Sequence, residues 1–478
     1  MTEPKKFTER YYQTSEKEAL DKQIKEVQKS QYRPKYHIYP KVGLMNDPNG
    51  LAYYNGKYHF FFQWYPFDTL HGLKHWGHTS STDLVNWSDQ DFALIPDQEF
   101  EKNGCYSGNA LEYDGKLYLF YTANYKVENG KLPKQGLAIM DKEGKITKRD
   151  KPILDHFPTG LSGELRDPFV FRRQDSFYML LGGSKINHPE VKQKFGDEGV
   201  LLLYKSQDLI NWEYQGEVDL PIDKGYMLEC PSLITIEGKD VLFLSPMGIK
   251  PTEHNFKNRF ATVYLVGHLE VENLKFLVDD WDELDSGFDF YAPQAFYGKN
   301  HTPLMTAWFG CGEPAYPVAE KWKHGLSYTQ VLSLNKGQLK RYPAQNIVDV
   351  FDEQHHFETD ELMTSSRNYR VNLTQNFNFK VGQKHDYWEF MYDKKAGLAS
   401  LSRSGLQKTI DPSCGFLRFA EIKTLKEVDI FVDNSFVEVY LNKGERVFTF
   451  VTFQDEQDCL FSDGQPLIGS LFTEYNKN

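Results

Sequence analysis

One phrase recurs five times along this chain, and its spacing restricts the folds open to it. Each copy has a polar or acidic start, a short apolar run, a tight-turn dipeptide and a second apolar run. The copies run from Asn46-Asp47-Pro48-Asn49-Gly50 through Asn55-Gly56; from Ser107-Gly108-Asn109 through Asp114-Gly115; from Arg166-Asp167-Pro168 through Gln174-Asp175; from Glu229-Cys230-Pro231 through Gly238-Lys239; and from Asp289-Phe290-Tyr291-Ala292-Pro293 through Gly298-Lys299. The turns fall at 55, 114, 174, 238 and 298, so the steps are 59, 60, 64 and 60 residues. A period of this size implies one supersecondary unit repeated about an axis or along a stack. In this reading Asp47, Asp167 and Glu229 occupy equivalent places in three units.

In a β-propeller each blade sends its innermost strand along a central channel, so residues at the same end of each inner strand converge there. Three carboxyl groups then meet in one funnel. Like charges in a partly dry site drive their pKa values apart, which lets one act as proton donor while another stays ionised. The competing reading is that Asp and Glu open strands as turn residues. Recurrence of all three beside Pro or Cys-Pro favours the chemical one.

Aromatic residues make up 15% of the chain, and with 35 Gly and 22 Pro they favour a turn-rich β protein. Fifty-five basic residues face 67 acidic ones, a formal charge of −12, with no long basic tract. That pattern argues against nucleic acid and a membrane surface as partners. An anionic substrate would need a local basic pocket against the overall field. The charged N-terminus and the absence of a long apolar run point to a cytoplasmic protein. Five scattered cysteines, 105, 230, 311, 414 and 459, lack a C-x-x-C pair and argue against disulfides and a thiolate zinc site.

Three regions follow. In residues 1–33, Ser15 and Glu18 have capping-box spacing, and Leu20, Ile24 and Val27 share one face of a short helix. Residues 34–345 carry the repeat. Within them Ser81-Thr82-Asp83-Leu84-Val85-Asn86-Trp87 returns as Ser206-Gln207-Asp208-Leu209-Ile210-Asn211-Trp212, a scaffold turn two periods on. Residues 346–478 begin with a linker-like stretch, 349–359, and continue as alternating strands that predict a β-sandwich. The sandwich is read as structural or as an accessory sugar-binding surface.

Met45-Asn46-Asp47-Pro48-Asn49-Gly50, Phe62-Gln63, Trp76-Gly77-His78, Tyr106-Ser107-Gly108, Arg166-Asp167-Pro168 and Glu229-Cys230-Pro231 resemble, in order and spacing, the signatures of family 32 glycoside hydrolases, the invertase and sucrose-6-phosphate hydrolase group. The stretch Ile430–Tyr440 is similar to that family's sandwich motif. The resemblance implies an all-β fold, a five-bladed β-propeller followed by a C-terminal β-sandwich. It implies Asp47 as nucleophile, Glu229 as general acid/base and Asp167 as a stabiliser bonded to fructosyl hydroxyls. In a retaining mechanism the attacking and proton-donating carboxyls stand about 5–5.5 Å apart, and Glu229 must hold its proton near neutral pH. By the same match Asn46, Gln63, Tyr106, Ser107 and Arg166 contact hydroxyls, and Trp76, Tyr291 and Trp308 offer flat faces to the sugar. No metal or organic cofactor is implied.

The loop Leu70–His78 holds three histidines without a paired carboxylate or cysteine at ligand spacing, so hydrogen bonding is favoured over metal binding. His71 stands where many family members carry Trp, and His-Gly-x-Lys-His-Trp is similar to the sucrose-6-phosphate branch; Lys74, with His71, is read as facing a phosphate. His301-Thr302-Pro303-Leu304 and Ser327-Tyr328-Thr329-Gln330 depart from the family pattern on the leaving-group side. The expected activity is hydrolysis of sucrose 6-phosphate and of sucrose. The alternatives are a fructo-oligosaccharide hydrolase with transfructosylation, or a non-catalytic sugar-binding propeller. The oligomeric state is left open.

Overall fold

The computed structural model describes residues 11–128, 130–188, 196–312, 315–456, 458–462 and 464–474. Residues 1–10 of the expected N-terminal extension and 475–478 of the expected sandwich region lie outside this set. Five antiparallel sheets occupy the chain between Gly43 and Pro343. Their inner strands are Gly43–Tyr54, Ala110–Tyr113, Leu161–Arg173, Met227–Ile236 and Tyr291–Tyr297. Each lies beside the next, and the fifth lies against the first, so the sheets form a closed five-bladed propeller. Trp322–Lys323 adds a short parallel strand to the first blade, pairing Gly43 with Trp322 and Leu44 with Lys323, and so ties the end of the ring to its start.

The apolar runs of the second strands explain why the blades stack. Phe60, Phe61 and Phe62 are all fully buried. Successive side chains leave opposite faces of a strand. Phe60 accordingly packs on Trp87 and Phe296, toward the fifth blade, whereas Phe61 joins Trp76, Leu117 and Leu119, toward the second. A strand covered on both faces reads as a continuous hydrophobic run, and each such side chain contributes about 1.5–3 kcal/mol on burial.

Two-residue turns join the first two strands in four blades. Asn55-Gly56, Asp114-Gly115 and Glu237-Gly238 each place both residues at positive φ, and Gln174 opens the third turn at φ 54. This is the backbone that matches strand twist in a tight hairpin. The fourth turn lies one residue earlier than the expected Gly238-Lys239, and the fifth is a longer loop around a 3-10 turn at Lys299–His301. The repeated Asp-Leu-x-x-Trp segments adopt one geometry. Leu84 and Leu209 have φ 65 and 67, Ser81 and Ser206 donate to Asp83 and Asp208, and Asn86 and Asn211 close the same turns. They link third and fourth strands far from the funnel, as scaffold.

The inner strands correct the repeat register. In the first blade the pairing jumps from Met45↔Trp64 to Pro48↔Phe62, in the third from Arg166↔Gly182 to Phe169↔Leu180, in the fourth from Glu229↔Ser245 to Ser232↔Phe243, and in the fifth from Tyr291↔Trp308 to Gln294↔Thr306. Each is a β-bulge in which two residues oppose one. Aligned on the bulges, Glu229 is the last paired residue before the bulge, Asp167 is its first residue and Asp47 its second. The three acids are therefore offset by one position each and are not at equivalent places.

The helix Lys17–Val27 buries Leu20 and Val27, with Ile24 half-buried, against a core that includes Tyr32, Val42 and Trp64. Its entry differs from expectation. The capping box is Gln13 with Glu16, on a 3-10 turn at Thr14–Glu16, and not Ser15 with Glu18. Among the described residues no helix is long and apolar enough to cross a membrane.

Two six-stranded sheets follow between Phe351 and Glu474 and pack face to face around Tyr369, Trp388, Phe390, Phe448 and Phe450. The stretch 349–359, expected as a linker, contains the edge strand Phe351–Thr359. Its exposed Asp352-Glu353-Gln354-His355-His356 run explains the misreading, because charged residues on an edge strand block further pairing and look like a linker in sequence.

Buried ion pairs join the sandwich to the ring. Arg403 NH1 donates to Asp289 at 2.8 Å, and Asp285, paired within the ring to Arg341, accepts from Thr449 Oγ1 of the sandwich at 2.7 Å. Asp289, the acid of the fifth repeat, thus faces the sandwich. His37 is clamped with Nδ1 2.8 Å from Asp433 and Nε2 3.1 Å from Glu438, and its ring stacks on Tyr328. Asp433 also accepts the backbone N–H groups of Lys35, Tyr36 and His37, and Glu438 accepts that of Tyr328 at 2.9 Å. Burial alone would lower the His37 pKa; the hydrogen bonds and charges of Asp433 and Glu438 outweigh it and raise it.

Replacing His37 by Leu leaves two buried carboxylates without their cation, and urea unfolding should show a loss of about 3–5 kcal/mol. A raised folded-state pKa means that the charged His37 contributes fully below its unfolded value of about 6.5 and fades as pH rises through the folded value. The gap between wild type and variant should narrow at alkaline pH; a gap that widens there contradicts the clamp.

Candidate active site

The bulged ends of the inner strands open into one cavity of about 480 Å³. Asp47, Asp167 and Glu229 all line it. The bulges make this possible: an extra residue bends the strand and re-aims side chains, so acids from three successive positions reach the same space. Asp167 and Cys230, the first bulge residues of the third and fourth blades, have φ 64 and 47, and Ala292 of the fifth has φ 48. Left-handed backbone at a non-glycine residue is uncommon, and here the ring fixes it three times at one structural position.

Each acid has its own set of partners. Asp47 Oδ2 accepts from Ser107 Oγ, which in turn accepts from Gln63 Nε2, and Gln63 lies 3.4 Å from Asp47. Asp167 Oδ2 accepts the Cys230 backbone N–H at 2.9 Å, and the Asp167 N–H donates to Thr122 Oγ1 at 2.8 Å. The Cys230 thiol sits 3.7 Å from Asp47 and 3.5 Å from Asp167, so these carboxylate oxygens are at most the sum of those distances apart. Glu229 Oε1 accepts Arg166 Nε at 2.9 Å and NH2 at 2.7 Å, and Oε2 accepts the Tyr291 hydroxyl at 2.7 Å. Arg166 also donates from NH1 to Glu164.

Electrostatics follow from this crowding. Burial pushes Asp47 up to about 6, against the Ser107 hydrogen bond and with the Glu229 charge adding to the rise. Burial likewise raises Asp167; Arg166 opposes the shift, and the charges of Glu229 and Asp47 reinforce it. Burial and the three neighbouring carboxylates keep the Cys230 thiol protonated, as a donor between Asp47 and Asp167.

Asn46, Gln63, His71, Lys74, Tyr106, Ser107, Arg166, Tyr291 and Trp308 also line the cavity. Trp76 does not. It is fully buried against Phe61 and Tyr121, and its indole N–H holds the Tyr106 carbonyl at 2.9 Å, so it supports the loop and presents no face to a sugar. The histidines of the same loop diverge. His75 accepts the Tyr12 backbone N–H, His78 pairs with His59 at 3.0 Å, and His71 lies 3.1 Å from Lys74. Among the described residues no group of three or more His, Cys, Asp or Glu could hold a metal ion. Lys74 is buried, with its ammonium on Asn46 Oδ1 and the His71 ring; burial and that ammonium push His71 down to about 2 and keep it neutral.

The sequence reading missed several lining residues: Leu73, Asn103, Lys126, Lys131, Met247 and Phe260. They come from loops, from the short strands Lys126–Val127 and Gly130–Lys131 and from the end of the second strand Lys239–Met247, all outside the repeated phrase, so the period carried no signal for them. Glu164 was also missed; it bridges Arg166 and Lys131.

A family model described as Glycosyl hydrolases family 32 N-terminal domain matches residues 37–343, and one described as Glycosyl hydrolases family 32 C terminal matches residues 342–468. The chain is 34% identical to a sucrose-6-phosphate hydrolase of Staphylococcus xylosus, covering 93% of this chain and 92% of that one. It is 32% identical to a sucrose-6-phosphate hydrolase of Bacillus subtilis, covering 87% and 88%. Among solved structures, a sucrose-6-phosphate hydrolase from Lactobacillus gasseri superposes with a TM-score of 0.89 at 30% identity over 98% of both chains. A β-fructofuranosidase of Bombyx mori superposes with a TM-score of 0.84 at 29% identity, over 97% of this chain and 99% of that one.

Crowded, desolvated acids have a measurable effect on stability. A carboxyl whose folded pKa is raised favours its neutral form, so its cost to folding is absent below the unfolded value near 3.9 and grows as pH rises through the folded value. Asp167→Asn should therefore stabilise the fold at pH 8 by about 0.5–2 kcal/mol, with no gain at pH 4. Thermal unfolding at the two pH values measures this, and a variant less stable at pH 8 would contradict the electrostatics.

Proposed function

The chain belongs to glycosyl hydrolase family 32, and on that premise we propose that it is a retaining β-fructofuranosidase whose preferred substrate is sucrose 6-phosphate, with sucrose as a second substrate. The observation that carries this reading is the sharing of one cavity by Asp47, Asp167 and Glu229, each with a different set of partners. The relatives named above as sucrose-6-phosphate hydrolases support the substrate.

In the proposed reaction Asp47 attacks the anomeric carbon of the fructosyl group. The bond to the bridging oxygen breaks, and that oxygen takes the proton of Glu229 and leaves as glucose 6-phosphate. Water then attacks the fructosyl-enzyme, Glu229 accepts its proton, and the ester bond to Asp47 breaks. Asp167 accepts hydrogen bonds from fructosyl hydroxyls and strengthens them as positive charge develops on the ring. Asn46, Gln63, Ser107, Tyr106 and Arg166 are proposed to meet further hydroxyls, with Tyr291 and Trp308 against the ring faces. Lys74 and His71, expected at the phosphate, are proposed instead to act on the fructosyl side, because Lys74 is buried with its ammonium on the Asn46 amide oxygen and beside the His71 ring.

Tyr291 supports the proton cycle. Its hydroxyl lies 2.7 Å from Glu229 Oε2 and 3.2 Å from the Ser245 carbonyl. With Glu229 ionised, Tyr291 donates to Oε2. With the proton on Oε2, Tyr291 accepts it and turns its own hydrogen to Ser245, so neither state leaves a buried group unpaired.

Three measurements test the proposal. Side by side, kcat/KM should be highest on sucrose 6-phosphate, lower on sucrose and lowest on a fructan trimer; a fructan preference would move the chain to the fructo-oligosaccharide reading. Glu229→Gln should lower kcat on sucrose 6-phosphate by about 10²–10⁴, whereas a fructoside with a nitrophenolate leaving group, which needs no proton, should keep its first step. The acid limb of kcat/KM should fall below about pH 6, where Asp47 takes up its proton and stops attacking. A limb that stays flat to pH 4 would remove Asp47 from the nucleophile role.

A further inference from the structure

The cavity wall beyond Glu229 carries a basic element outside every repeated phrase. The short strands Lys126–Val127 and Gly130–Lys131 pair as a hairpin in the second blade, and Lys126 and Lys131 both line the cavity. The hairpin is fixed in place. The Lys126 backbone N–H donates to Asn103 Oδ1 at 2.8 Å, and the Lys131 carbonyl lies so close to Gly163, at φ 84, that a side chain there would meet it at 2.9 Å. Lys131 Nζ donates to Glu164 at 2.8 Å, Glu164 accepts from Arg166, and Arg166 grips Glu229. A partly buried chain of alternating charge thus runs from the proposed proton donor outward to the hairpin. The Lys126 ammonium is exposed and has no ion-pair partner among the described residues. Behind it Lys102 and Lys134 flank the Tyr125 ring, 5.0 and 5.5 Å from its centre. Glu99, paired with Lys102 at 2.7 Å, and the buried Glu164 are the carboxylates that pair with these lysines.

This placement has the geometry of the proposed reaction. The leaving oxygen must lie at Glu229, so the glucosyl group extends away from Asp47 and Asp167, and a phosphate on its sixth carbon hangs several bonds farther out. A protein of charge −12 repels such a dianion, and a local cluster of lysines reverses the sign where the substrate enters. Lys74 lines the same cavity, but its ammonium is already engaged by Asn46 Oδ1 and the His71 ring. We propose that the hairpin bearing Lys126 and Lys131 is the element that recognises the phosphate of the leaving group, with Lys126 as its direct ion-pairing contact and Lys131, shared with Glu164, as the second. The inference rests on the phosphorylated-substrate reading above and assigns it to residues.

The test is the ratio of kcat/KM on sucrose 6-phosphate to that on sucrose, for the full chain and for Lys126→Ala, Lys126→Ala/Lys131→Gln and Lys74→Met. A charge-assisted hydrogen bond to phosphate corresponds to about tenfold or more in that ratio. Lys126→Ala should lower it about tenfold, the double variant further, and Lys74→Met should reduce both activities while leaving the ratio in place. Raising ionic strength should raise KM for sucrose 6-phosphate and leave KM for sucrose steady, an effect the double variant should lose. A wild-type enzyme that prefers sucrose 6-phosphate while both hairpin variants keep its ratio would overturn this inference alone. A wild-type enzyme with no preference would overturn it together with the substrate reading.

Discussion

Three carboxyl groups in one half-dry cavity repel one another and lose hydration, and much of the architecture around them answers that cost. The two Arg166 contacts and the Tyr291 hydroxyl cover both oxygens of Glu229. Ser107, Gln63 and the Cys230 thiol hold Asp47, and the Cys230 backbone N–H holds Asp167. These donors come from different blades, so the ring must close before the acids can be tolerated. Side-chain amides and a hydroxyl stitch neighbouring blades at the level of the bulges. Asn109 bridges to both the N–H and the carbonyl of Val170, Gln294 bridges Leu51 and Gly108, and Ser232 accepts the N–H of Ala295. A site built on such a frame is held by rigid strands, with the lysine-bearing hairpin and the His71–Lys74 loop at its rim.

The bulge separates the settings of the acids. A strict repeat would give three acids in equivalent settings, with equivalent partners. The one-residue offsets instead place Glu229 at the last paired position, against the Arg166 fork, Asp167 at the left-handed bulge position, bonded to the next blade, and Asp47 one step beyond, against Ser107. Different partners around chemically similar groups are what allow one carboxyl to attack while another delivers a proton.

The period, three of the five turns, the Asp-Leu-x-x-Trp scaffold and the sandwich were legible because each rests on local chemistry: positive φ at Asn-Gly and Asp-Gly, a Ser-Asp-Asn hydrogen-bond set, apolar alternation. The register of the acids was not, because a bulge leaves no mark in spacing; only the pairing of the second strand reveals it. Trp76 read as a sugar platform from its motif, yet its neighbours Phe61 and Tyr121 come from other strands and enclose it. Asp289 shared the repeated phrase but is turned to Arg403 in the sandwich, a partner more than 100 residues away. The edge strand Phe351–Thr359 was hidden by its exposed charges. Lys126 and Lys131 sit in a short hairpin whose composition resembles any solvated turn, and the fold alone brings them to the cavity.

Two of the gathered acids are proposed to flank the scissile bond, with Asp47 making the covalent contact. Mass spectrometry of acid-quenched enzyme after brief exposure to a fructoside with a nitrophenolate leaving group, with Glu229→Gln used to slow deacylation, tests it most directly. One fructosyl unit should be esterified on the peptide that carries Asp47, and none in Asp47→Asn. A fructosyl group on Asp167 or Glu229, or turnover with no adduct and release of the inverted anomer, would contradict it.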